Sequence, residues 1–224
     1  MNGKASILLV ICFLASAVAA YGAQMVALWN VEGQADSIAV GPGGEVYVVI
    51  NNDHRIVTYS PDGEMLTEWE VPGVIETNGI AVGPDGEVYV IINSNRKVVK
   101  YSPEGEMLTK WTLEDVADGI SVGPGGEVYV TINNSHKVVR YSPEGERQAE
   151  WEVPGVIETN GIAVGPVGEV YVIVTNSHKV LKFSPDGAML DGWTVEGEMT
   201  GIAVGPNGLV YISLTNGLIQ VFEA

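Results

Sequence analysis

A chain of 224 residues with 11 basic and 28 acidic side chains carries a formal charge of −17. Such a surface repels nucleic acid and anionic membranes, which excludes both as partners. Its single cysteine, Cys12, rules out a disulfide framework, and a chain of this length buries roughly 70% of its unfolded surface without one.

In chain order the first element is a leader. Met1 to Lys4 forms a short basic segment, Ile7 to Val18 is apolar but short for a membrane span, and small residues run from Ala15 to Ala23. Residues 1–23 are therefore read as a signal peptide cleaved between Ala19 and Ala23, leaving a mature domain over 24–224, with an uncleaved anchor as the alternative. Loss of Lys4 with the leader takes the charge to −18. The expected destination is outside the cytoplasm, in the medium, at the cell surface or in a periplasm, with no membrane insertion after cleavage.

The mature part is repetitive. Trp29, Trp69, Trp111, Trp151 and Trp193 follow one another at intervals of 40, 42, 40 and 42 residues, and Gly-Pro pairs at Gly41, Gly83, Gly123, Gly165 and Gly205 keep step. A period near 40 built from strands without helical spacing points to propeller blades. Within one unit, Gly79 to Val82 runs into the turn Gly83-Pro84-Asp85-Gly86, followed by Val88 to Ile92 and a polar turn from Asn93 to Arg96. Val98 to Tyr101, the turn Ser102-Pro103-Glu104-Gly105 and Met107 to Trp111 complete the unit. Proline at the second turn position and glycine at the fourth make these tetrapeptides β-turns. The expected fold is all-β, a five-bladed β-propeller of four-stranded antiparallel blades.

Its blades span about 38–69, 80–111, 120–151, 162–193 and 202–222, the last lacking a fourth strand. Met25 to Trp29 aligns with Met65 to Trp69 and is expected to complete that blade beside Ile219 to Phe222, closing the ring. Blades two and four share an identical run at Trp69 to Pro84 and Trp151 to Pro166. Long and short connections therefore alternate, except that two short ones fall together near Val31 to Ser37 and Val195 to Thr200.

Segments such as Val46 to Ile56, followed by Ser60-Pro61-Asp62-Gly63, resemble the NHL repeat of β-propeller proteins. The sequence departs from that pattern at Ile50, Ile92, Ile132 and Val174, where aspartate is frequent in the family, and at Asp53, Ser135 and Ser177, where asparagine is. Propellers of this family often have six blades. Some related propellers are lyases or lactonases, so the resemblance implies a scaffold that admits either binding or catalysis.

Candidate site residues follow from the repeat. One polar side chain precedes each inner strand: Asp36, Asn78, Asp118, Asn160 and Thr200. Together they are expected to ring the channel mouth, where oxygen ligands suit Ca²⁺ or satisfy turn backbone. On the same face Asn51, Asn52, Asn93, Asn133, Asn134 and Asn176 form the candidate ligand-binding surface for a protein, peptide or glycan. His54, His136 and His178, with Arg96 at the equivalent place, read as repeated turn residues rather than zinc ligands. Arg55, Arg96, Lys97, Lys100, Lys137, Arg140, Lys179 and Lys182 lie in or after the turns between second and third strands, which predicts a relatively basic rim there. The opposite face is expected to be acidic.

The symmetry-breaking positions, Val167, Leu209 and Arg147-Gln148-Ala149, assemble no nucleophile with a base. A secreted, non-catalytic, monomeric binding scaffold without an obligatory cofactor is the reading from sequence. A lyase- or lactonase-type enzyme with a metal at the channel mouth, or a self-associating envelope protein, are the alternatives.

Overall fold

The computed structural model describes residues 29–50, 53–71, 77–132, 134–154 and 161–223. They form five consecutive antiparallel sheets, the blades of a five-bladed β-propeller. Blade one is β1 (Ala35–Val40), β2 (Val46–Ile50), β3 (Arg55–Tyr59) and β4 (Met65–Glu70). Blade two is β5 (Thr77–Val82), β6 (Val88–Ile92), β7 (Lys97–Tyr101) and β8 (Met107–Thr112). Blade three is β9 (Ala117–Val122), β10 (Val128–Ile132), β11 (Lys137–Tyr141) and β12 (Arg147–Glu152). Blade four is β13 (Ile162–Val164), β14 (Val170–Val174), β15 (Lys179–Phe183) and β16 (Met189–Thr194); blade five is β17 (Met199–Val204), β18 (Leu209–Leu214) and β19 (Ile219–Glu223).

Each strand follows its immediate predecessor in the sheet because the connections are tight turns. In blade one the Gly44 N–H donates to the Gly41 carbonyl at 3.0 Å and the Gly63 N–H to the Ser60 carbonyl at 2.9 Å. Both glycines sit at positive φ, +88° and +85°, a conformation that penalises any residue with a Cβ. The second strands of blades two, three and four are buried on both faces, which accounts for runs such as Val-Tyr-Val-Ile-Ile without polar alternation.

Blades stack through apolar clusters, each shared by neighbours. Tyr47, Val49 and Ile56 of blade one meet Ile80, Val90 and Tyr101 of blade two. The same pattern recurs between blades two and three, three and four, and four and five. The tryptophan ending each outer strand crosses to the next blade. A Cβ on Gly105, Gly145 or Gly187 would lie 2.5 Å from Trp69, Trp111 or Trp151 respectively. Trp151 also stands edge-on to Tyr129 and tilted against Phe183, with ring centroids 6.3 and 5.9 Å away.

Trp29 belongs to this series. It packs on Val48, Ile50, Val57 and Tyr59 of blade one, and a Cβ on Gly63 would lie 2.8 Å from its ring. The preceding residues of the expected closing strand, Met25 to Leu28, lie outside the described residues, so blade five is described with three strands.

The basic rim expected from sequence needs correction. Lys100 and Lys182 pair with Glu87 and Glu169, at 2.9 and 3.5 Å, and Arg140 reaches Asp186 at 3.1 Å. Three residues beyond the start of an antiparallel third strand, a side chain has already travelled to the opposite, acidic end of the blade. These three cations neutralise the acidic face instead of decorating the other.

Burial pushes the Tyr101 hydroxyl up to about 12 from 10.0. The unfolded chain ionises this group first, so its contribution is intact below pH 10 and is lost as pH rises toward 12. Denaturant titration is therefore expected to show wild-type stability falling across that window and Tyr101→Phe falling less. Parallel decline of the two would contradict the assignment.

Candidate functional site

The connections from outer to inner strands and the turns between second and third strands meet on one face, as the repeat predicts. The N–H groups of Val71, Leu113, Val153 and Val195 donate to the carbonyls of His54, Arg96, His136 and His178 at 2.7 to 2.8 Å. Those four residues adopt φ of 50° to 52°, the left-handed region, so their backbone shape is what the repeat uses. The His178 Nδ1 lies 2.9 Å from the Gly197 carbonyl, and an Arg96 guanidinium N–H donates to the Glu114 carbonyl at 3.3 Å. The histidines thus serve the turns, and among the described residues no three His, Cys, Asp or Glu side chains converge as metal ligands.

On this face the central channel opens into a cavity of about 490 Å³ lined by Asp36, Ser37, Ile38, Gly79, Ile80, Asp118, Gly119, Ile120, Ile162 and Ile202. The polar members owe their position to β-bulges. Ala35 and Ser37 pair with the consecutive residues Ile50 and Val49, leaving Asp36 as the extra residue. Asp118 is extra between Ala117 and Gly119, and Thr200 between Met199 and Gly201. A bulge bends its strand and re-aims the side chain it carries, so the same device recurs at the start of the inner strands of blades one, three and five, and a further register shift falls between Thr77 and Ile80 in blade two. Beyond the bulges an isoleucine occupies each inner strand, but the surface that lines the cavity is mostly polar.

Of the five ring residues expected from sequence, Asp36 and Asp118 therefore line the mouth. The Thr200 hydroxyl is engaged with Ser213 Oγ at 2.9 Å. The Asn78 side chain and Asn160 lie outside the described residues.

The described asparagines, Asn93, Asn134 and Asn176, share the face but not the cavity lining. Asn93 clamps the entry to blade three: its amide donates to the Ala117 carbonyl at 2.9 Å and its oxygen accepts from the Ala117 N–H at 3.2 Å. Asn134 donates to Asp115 at 2.9 Å, and that bond, with the Val116 N–H, holds the Asp115 carboxyl below its ordinary range. Asn176 is exposed within the helical turn Thr175–Ser177. Asn51, Asn52 and Asn133 lie outside the described residues.

Two hydroxyls near the mouth escaped the sequence reading. Thr131 and Ser213 stand in the second strand where other blades carry Val49, Ile91 and Ile173. Thr131 is fully buried and donates to the Gly119 carbonyl at 3.4 Å. A break in an otherwise apolar column was the available signal.

The opposite end of the channel differs in chemistry. Five Val-Gly-Pro segments, beginning at Val40, Val82, Val122, Val164 and Val204, surround a hollow of about 350 Å³.

No protein-family model and no curated protein matches this sequence. Among solved structures, the chain is similar to selenomethionine-substituted virginiamycin B lyase from Staphylococcus aureus, with a TM-score of 0.67 and 20% identity, covering 87% of this chain and 71% of that one. It is also similar to a streptogramin B lyase, at TM-score 0.69 and 16% identity over 87% and 70% of the two chains. A protein of unknown function from Bacteroides caccae gives 0.65 and 15% over 87% and 79%. Likeness at such identities concerns the fold, a β-propeller.

Proposed function

We propose that this chain is a secreted, non-catalytic propeller of the NHL type that binds a peptide or glycan at the channel mouth on the bulged face. The observation that supports the reading is the repeated bulge. It presents Asp36 and Asp118 in a cavity of about 490 Å³ whose lining surface is mostly polar, which suits a ligand held by hydrogen bonds. Two carboxylates favour a ligand rich in hydroxyl donors or carrying a cationic group. The resemblance of Val46 to Ile56 to the NHL repeat agrees with a binding propeller.

The second reading, a lyase, draws on the likeness to virginiamycin B lyase and streptogramin B lyase. One experiment separates the two. Wild type, Asp36→Asn/Asp118→Asn and the opposite-face control Asp85→Asn are screened against peptide and glycan arrays and incubated with a streptogramin B. Binding that weakens about tenfold or more in the double variant, but survives in the control, is expected. Equal binding by all three proteins sinks the assignment of the mouth, and catalytic consumption of the streptogramin replaces the scaffold by the lyase.

A further inference from the structure

The Val-Gly-Pro hollow of about 350 Å³, at the end of the channel away from the bulges, is built by repetition but edged by residues that break it. Its wall is apolar and open to solvent: Val40 is 63% exposed, and the proline of each of the five segments is exposed as well. After Pro166 of blade four comes Val167, 75% exposed, where the same turn carries Gly43, Asp85, Gly125 and Asn207 in the other blades. In blade five Leu209 stands where Glu45, Glu87, Glu127 and Glu169 stand. Blades four and five thus extend the apolar surface of the hollow outward.

Blades one and three add uncompensated charge. Their carboxylates lie against the turns that wall the hollow: a Cβ on Gly41 would stand 2.9 Å from Glu45 Oε2, and one on Gly123 3.1 Å from Glu127 Oε2. In blades two and four the equivalent Glu87 and Glu169 are paired with Lys100 and Lys182, which sit opposite Tyr89 and Tyr171 in the strand register. In blade one Thr58 holds that place opposite Tyr47, and its short, uncharged side chain brings nothing to Glu45. Arg140 holds it in blade three, but turns instead to Asp186 and the Pro185 carbonyl of blade four. Glu45 and Glu127 therefore form no ion pair among the described residues. Burial, together with the charges of Glu45 and Glu104, raises the Tyr47 hydroxyl above its ordinary value, in keeping with a local excess of negative charge. We propose that this end of the propeller is a second docking surface, which takes a basic peptide segment of another protein. One apolar side chain of the segment fills the hollow, and flanking lysine or arginine side chains meet Glu45 and Glu127, supplying the cations that blades two and four carry for themselves. The overall charge of −17 steers such a partner toward the protein.

Calorimetric titration with two end-blocked peptides, Lys-Lys-Leu-Lys-Lys and Lys-Lys-Gly-Lys-Lys, tests both halves of the site. The leucine peptide is expected to bind about tenfold or more tightly than the glycine peptide, because only it has a side chain to bury. Its affinity should fall as salt is added. Glu45→Gln/Glu127→Gln is expected to weaken it about fivefold. Thr58→Lys places an internal cation beside Glu45, as Lys100 lies beside Glu87, and is expected to weaken the peptide about threefold without lowering melting temperature. Asp36→Asn/Asp118→Asn, at the other end of the channel, should leave its affinity unchanged, which separates this surface from the bulged mouth. No binding of either peptide, equal affinity for the two, affinity unchanged in Glu45→Gln/Glu127→Gln, or a loss confined to Asp36→Asn/Asp118→Asn each overturns the proposal. Self-association that Val167→Ser abolishes, with no peptide bound, would give the hollow to a second copy of the chain and overturn it as well.

Discussion

Gly187→Ala is expected to destabilise the protein by about 2–5 kcal/mol, from two additive causes. The residue sits at φ +86°, where a Cβ costs roughly 1–2 kcal/mol. The new methyl would also lie 2.5 Å from the Trp151 ring, and making room in a packed site costs about 1–3 kcal/mol more. Trp151 cannot simply swing aside, being held between Tyr129 and Phe183 and 9% exposed. Gly208→Ala isolates the first cause, for Gly208 has φ +79° and nothing within 4 Å of the added atom. Chemical denaturation of both variants gives the comparison directly. Equal losses would mean that the tryptophan does not hold the next blade's turn.

Much of this architecture could be read in advance because its punctuation is chemical. Gly-Pro-x-Gly and Ser-Pro-x-Gly place turns by conformational preference, and Trp69, Trp111, Trp151 and Trp193 mark where each outer strand ends. The strand order inside each blade then follows from the shortness of the connections. Register is harder to read. A bulge at Asp36, Asp118 or Thr200 adds one residue to a strand without disturbing the apolar pattern, so sequence placed these side chains near the mouth but not on bulges.

Other features depended on three-dimensional reach. Asn93 looked like a ligand-binding residue because it is polar and lies in a loop. Its amide instead bonds the Ala117 backbone twice across a gap of 24 positions. Lys100 and Lys182 looked like part of a basic rim, yet they run down their strands to Glu87 and Glu169.

In a circular repeat Trp29, the first described residue, plays the part that Trp69, Trp111, Trp151 and Trp193 play later. Trp29 lies against Gly63 as Trp151 lies against Gly187, and it covers Val48, Ile50, Val57 and Tyr59. Removing a large aromatic from a packed site costs about 3–5 kcal/mol when it is fully buried. Trp29 is half-buried, so Trp29→Ala is expected to lose about 2–3 kcal/mol in equilibrium unfolding. The transition should remain cooperative, because blade one would loosen as part of the whole. A loss below about 0.5 kcal/mol, the level of an ordinary surface substitution, would show that Trp29 merely rests on blade one and that the repeat is not circular.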